Sequence, residues 1–166
     1  MIEPERTDLS AIGRERGPAH GPRPVVCFVR MVRISVGRLV FAARLEDGAA
    51  PLTCAAFRRL LPYRRKIIHA RWSGEACWIP LGDLDLGLGP ENHTSDPAPG
   101  NILLYPGGIS ETEILFPYGS TRFASKVGPL AGNHFLTIVD GRESLQEMGR
   151  LVLWEGAQDI AFEEIG

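Results

Sequence analysis

The side chains able to do chemistry gather between Pro99 and Glu143, where Glu111, Glu113, Tyr118, Arg122, Lys126 and His134 stand close to the ends of short apolar runs. His134 follows Gly132-Asn133, a turn that presents an imidazole at the start of a strand, where it can donate, accept or shuttle a proton. Arg122, and Arg71 earlier in the chain, could anchor a carboxylate or carbonyl oxygen, because a half-buried guanidinium has to meet such a group to offset its desolvation. Tyr105 and Tyr118 each neighbour a proline and could offer a hydroxyl above an apolar ring. Glu111 and Glu113 flank Thr112 and so share one face of a strand. Facing inward they would make a general acid and base pair with a raised pKa; facing outward they would be a solvated edge. Each of these residues has a structural reading too: a hydrogen-bonded core histidine, an internally paired arginine, a core tyrosine.

Other chemistries find weaker footing. His69, His93, His134 and Cys77 include no local pair with metal-ligand spacing, so no metal and no cofactor is expected. Ser110, Ser120 and Ser125 lack the Gly-x-Ser-x-Gly elbow of a hydrolase. The acidic loop carrying Asp83, Asp85, Glu91 and Asp96 lacks the order of a calcium loop. Cys27, Cys54 and Cys77 are too widely spaced for a disulfide framework or a metal clip.

The elements that must position these groups are mostly strands. Val32 to Val36 and Leu39 to Leu45 read as a hairpin about Gly37-Arg38. Pro51 to Leu61 reads as the main helix, with Pro51 in its first turn, Leu52, Ala56, Phe57 and Leu60 at helical spacing, and Pro62 ending it. Arg65 to Trp72 and Glu75 to Leu81 form two β-rich segments about Ser73-Gly74. The stretch from Gly82 to Gly100 has no strong period and reads as a long rim or lid. Ile102 to Tyr105, Ile114 to Phe116 and Phe135 to Val139 are further strands, cut apart by Gly and Pro. After Val139 a turn leads into a helix of one or two turns that Gly149 ends. Leu151 to Trp154 and Asp159 to Ile165 then close the chain as strands. This order predicts a mainly β fold: a small closed barrel with one principal capping helix and one short helix.

The bulk properties bound the function. The chain has 166 residues with 44% hydrophobic side chains, enough for one core. Residues 1–24 mix charge with Gly and Pro and read as an unpacked arm, leaving 25–166 as a single domain. A net charge of -2 offers no cationic field for nucleic acid. No run reaches the roughly 18 apolar residues of a membrane span, and the first residues lack a secretory signal, so the cytoplasm is the expected location.

The stretch Leu130-Ala-Gly-Asn-His134-Phe-Leu-Thr-Ile-Val139-Asp-Gly-Arg-Glu-Ser-Leu-Gln-Glu-Met148 resembles the part of cyclophilins in which Leu-Asp-Gly-Lys-His precedes a strand, an acidic-glycine turn and a closing helix. Met31 to Ile165, above all GNILLYPGGISETEILFPYG with RFASKVGPLAGNH, looks like a bacterial family of cyclophilin-like proteins known as a domain of unknown function. The resemblance implies a cyclophilin-like barrel in which His134 and Leu130 line a pocket at the barrel mouth. Phe123 would stand in for a pocket phenylalanine, and His69-Ala-Arg71 is the nearest relative of a Phe-His-Arg motif.

Three functions follow as expectations. In the first, a mouth pocket binds, and could transform, a small metabolite bearing a carboxylate, amide or imide. Arg122 and Arg71 would anchor oxygen, His134 would move a proton, and Tyr105, Glu111, Tyr118, Phe123, Leu130 and His69 would form walls. The second is prolyl isomerisation of a proline-containing peptide, with Arg71 as the donor to the prolyl nitrogen. The third is a binding or assembly module without chemistry, able to form a homodimer.

Overall fold

The computed structural model describes residues 30–165; the arm expected over residues 1–24 lies outside them. Alternation of apolar and polar residues decides the architecture. Along β1 (Met31–Val36) and β2 (Leu39–Leu45), every second side chain is buried: Val32, Ile34, Val36, then Leu39, Phe41, Ala43 and Leu45. A strand with one apolar face has to bury that face against others of its kind. Eight strands do so by closing into an antiparallel barrel in the order β2, β1, β11 (Gln158–Ile165), β3 (Tyr63–His69), β4 (Gly74–Gly82), β7 (Thr112–Thr121), β6 (Asn101–Tyr105) and β10 (Gly132–Asp140), with β10 pairing back onto β2. Closure leaves none of these eight strands at an open end of the sheet.

The barrel of eight strands is narrow enough for side chains to fill. Phe41, Phe116, Ile79, Ile102 and Ile114 are fully buried in one continuous interior cluster. α1 (Pro51–Arg58) seals the end where β3 begins, its Phe57 ring packing edge-on against Tyr63, Phe135 and Phe162. α2 (Leu145–Glu155) seals the end where β3 finishes, burying Leu145, Met148, Leu151 and Val152. Among the described residues no open pocket is left at either barrel mouth, because α1 with its aromatic cluster closes one and α2 the other.

The helices also correct the sequence reading. A 3-10 turn (Arg142–Ser144) feeds α2, which runs 11 residues against the 8 of α1, so the principal helix is the second one. Leu151 to Trp154, expected as a strand, is helical because Leu151 and Val152 continue the buried stripe begun by Leu145 and Met148. Gly149 does not end the helix. It lies inside it because the Tyr118 ring rests against its Cα, in the space a Cβ would occupy.

The long connection between β4 and β6, which contains the short β5 (His93–Thr94), is fastened by side chains. Ala50 precedes α1 and cannot cap it, so Glu91 does: its carboxylate accepts the Leu52 N–H (3.1 Å), the Thr53 N–H (2.8 Å) and the Thr53 hydroxyl (2.7 Å). Asn133, only 1% exposed, accepts the Glu91 N–H at 3.0 Å and donates to the Gly89 carbonyl at 2.9 Å and to Thr53 Oγ1 at 3.1 Å.

Candidate functional site

The outer face of the barrel wall carries a second apolar cluster. On β4, β6 and β7 the residues that alternate with the interior ones are Ala76, Leu103, Tyr105 and Leu115, and all four are buried with Phe123 and Leu130. The cover is a small hairpin, β8 (Ala124–Ser125) with β9 (Gly128–Pro129), folded as a flap against the wall. Ser73, at 3% exposure, pins it: the Arg122 N–H donates to the Ser73 carbonyl at 3.1 Å, and the Ser73 hydroxyl exchanges hydrogen bonds with the backbone of Ala124. The Phe123 N–H donates to the Ser95 carbonyl at 2.7 Å, and the Tyr105 and Phe123 rings meet edge to face.

Where the flap stops short of the wall it leaves a cavity of about 290 Å³ over β3, β4 and β7. That size is at the low end for small-molecule sites. Ile68, Ala70 and Trp78 make its apolar floor, and Trp72 stands at the rim. Arg71 comes from the turn between β3 and β4, Lys126 from the flap tip, and Glu111 and Glu113 from the start of β7.

Glu113 is the unusual member. It is 6% exposed, lines the cavity, and has no hydrogen bond or ion pair to its carboxyl among the described residues. Burial, and then the charge of Glu111 beside it, push its pKa up to about 7. The pair faces outward, yet Glu113 is largely buried all the same, set in the wall between its cross-strand neighbours Pro80 and Tyr105 at the bottom of the hollow that the flap borders. Arg71, Lys126 and Glu111 are likewise without an ion-pair partner within 4.0 Å among the described residues, so the cavity holds unmatched charge of both signs.

A second hollow, of about 620 Å³, lies beside β3 and β11, but its cations are already engaged. Arg64 pairs with Glu163, Lys66 with Asp159, and Arg65 stacks on the Tyr63 ring. Among the described residues, no group of three or more His, Cys, Asp and Glu could hold a metal ion. Burial pushes the thiols of Cys54 and Cys77 up to about 12, which keeps both protonated and unreactive.

Of the residues singled out in the sequence for chemistry, His69, Arg71, Glu111, Glu113 and Lys126 reach the cavity lining. The His69 ring is committed elsewhere: its Nδ1 donates to the Ala70 carbonyl and its Nε2 accepts the Tyr118 hydroxyl, both at 2.8 Å. Tyr118 belongs to the barrel interior, while Tyr105, Phe123 and Leu130 form the cluster behind the flap. Arg122 is exposed and engages through its backbone.

His134 lies away from the cavity, in a chain of its own. Its Nε2 donates to Thr137 Oγ1 at 2.9 Å, and the Thr137 hydroxyl donates to Glu46. Burial holds this imidazole below its ordinary pKa, with Glu46 offsetting only part of the effect. His134 and Arg122 thus share no pocket among the described residues: the imidazole is tied through Thr137 to Glu46, just after β2. Trp78 and Ser73 are site residues that the sequence did not single out; their sole trace there is a tryptophan within a strand and a serine at a turn.

A family model described as a protein of unknown function (DUF3830) matches residues 32–164, nearly all of the described barrel. The chain belongs to this family. No curated protein matches it. Among solved structures, the DUF3830 barrel is similar to McbB, whose structure was determined in complex with tryptophan, with a TM-score of 0.62 and 19% identity over 80% of this chain. The match spans 44% of the McbB chain. It is also similar to the hypothetical protein AF2241 from Archaeoglobus fulgidus, with a TM-score of 0.54 and 20% identity, covering 81% of this chain and 94% of that one. At such identities the likeness is one of fold. No helix among the described residues is long and apolar enough to cross a membrane.

Proposed function

We propose that this DUF3830 protein binds a small organic molecule, with a planar or apolar body and a carboxylate, amide or imide group, in the cavity between flap and wall. The observation that carries the reading is Glu113, a buried carboxyl with no protein partner facing a hollow floored by Trp78. Buried polar groups are satisfied unless a ligand or water completes them, and functional sites are where such strain is kept. Arg71 and Lys126 at the rim would take the oxygen end of the ligand; Trp72 and Trp78 would flank its flat part. That McbB, of related fold, binds tryptophan supports a ligand of this size and character.

The isomerase reading that accompanies the resemblance to cyclophilins has less behind it. Phe123 and Leu130, the residues it would use to grip a proline ring, are 1% and 4% exposed and fully engaged with the wall.

Calorimetric titration with tryptophan and a panel of small aromatic acids, amides and imides tests the proposal. At least one compound should bind, and the double variant Arg71→Ala, Lys126→Ala should weaken it about tenfold or more, as expected when charge-assisted contacts are lost. His134→Ala and Arg122→Ala should leave it unchanged. Equal affinity in the double variant, or loss confined to His134→Ala, would refute the assignment to this cavity.

A further inference from the structure

The cavity is asymmetric in a way that says which end of a ligand goes where. Its cations, Arg71 and Lys126, are exposed and already solvated, whereas Glu113 is largely buried, meets solvent only through the cavity, and its carboxyl lacks any donor among the described residues. A ligand bringing only an anion would satisfy the groups that need it least and leave Glu113 orphaned. A ligand bringing an N–H-rich cation would supply the missing donors, with Glu111 next to it adding a second negative charge. The flanking indoles favour the same sign, since the face of tryptophan attracts cations.

We infer that the inner part of this cavity is an ammonium subsite, formed by Glu113 and Glu111, so that the preferred ligand carries a protonated amine attached to a flat apolar body, and is a zwitterion when it also carries the carboxylate directed to Arg71 and Lys126. The inference rests on the binding reading above and deepens it from a carboxylate ligand to an amine-bearing one.

Binding would be linked to protons. The groups facing Glu113 are Glu111 on the approach to β7, Tyr105 directly opposite it on β6, Arg71 on the β3–β4 turn, Lys126 on the flap, and His69 at the end of β3, whose ring is held by Ala70 and Tyr118. Glu113 gains a proton near neutrality. Amine affinity should therefore fall as the pH drops below about 7, where Glu113 loses its charge.

Three probes of one skeleton separate the possibilities: 2-phenylethylamine carries the amine alone, 3-phenylpropionate the carboxylate alone, and phenylalanine both. Titrated against the full chain at pH 8, phenylethylamine and phenylalanine should bind at least tenfold more tightly than phenylpropionate. Glu113→Gln should erase that preference, lowering amine affinity about ten- to a hundredfold, the loss expected for a hydrogen bond between charged groups. Repeating the amine titration at pH 5.5 should weaken it in the parent and leave Glu113→Gln unaltered. Phenylpropionate binding as well as the amine would overturn the ammonium subsite while sparing the binding reading. Failure of all three probes, together with the wider panel, would overturn both.

Discussion

Replacing Glu113 by glutamine should make this protein more stable, and only above mildly acidic pH. The carboxyl ionises near 4.5 in an unfolded chain and near 7 in the barrel, where burial and the Glu111 charge oppose ionisation. Between those values the folded state holds a proton that the unfolded state has released. Stability contributed by the protonated form is thus complete below about pH 4.5, declines as the pH rises to about 7, and stays low beyond it. At about 1.4 kcal/mol for each pKa unit, the deficit at pH 8 amounts to about 3 kcal/mol. Glutamine is neutral in both states and has nearly the same shape, so Glu113→Gln removes that deficit. The gain in melting temperature for a chain of this size is about 2–4 °C per kcal/mol, or roughly 6–12 °C in total. Thermal unfolding followed by circular dichroism at pH 4, 5, 6, 7 and 8 would show it: the two melting curves coincide at pH 4 and separate steadily to pH 8. Glu111→Gln should show a smaller gain over the same range, because its charge is the lesser of the two causes. A difference between parent and Glu113→Gln that is the same at every pH, or a loss at pH 8, would refute the reasoning. A binding site that costs stability is a familiar trade, and on the proposed reading a tight amine ligand should cancel the advantage of the variant by restoring what the carboxyl lacks.

Gly149→Ala should destabilise the fold by about 1–3 kcal/mol: the better helix propensity of alanine, about 1 kcal/mol, is outweighed by overpacking against the Tyr118 ring and by strain on its hydrogen bond to His69. In a Tyr118→Ala background the same change should turn stabilising, and denaturant melts of the four proteins check the reversal. Asn133→Ala should cost about 2–4 kcal/mol, since it leaves the Thr53 hydroxyl, the Gly89 carbonyl and the Glu91 amide short of partners, and it should loosen the connection over residues 84–100. Hydrogen exchange of that segment tests this; unchanged protection would show that the loop is held by other means.

Local physics, legible in the chain, determined the wall of the barrel. The period of two in Val32 to Val36 and Leu39 to Leu45, the Gly37 turn, and the Pro51 start of α1 each depend on neighbours in sequence, and each reappears in the structure at nearly the same residues. Closure could be argued from the same pattern, because many short one-faced strands with few helices have little alternative. What tertiary contact alone decided lies where distant residues override local preference. Glycine at position 149 signals a helix end by itself, but the Tyr118 ring needs that very absence of a side chain and the helix runs on. Glu91 reads as one acid among several in a loop until it meets the N-terminus of a helix 38 residues earlier. Glu113 shows the difference most plainly. Its alternation with Thr112 assigned it to a face, and an outward face means water unless neighbours enclose it; here Pro80 and Tyr105 flank it across the strands, and a flap drawn from residues after β7 and pinned by Ser73 from before β4 borders the hollow it lines. Burial is a property of the whole packed chain, and it is burial that turns an ordinary glutamate into a site.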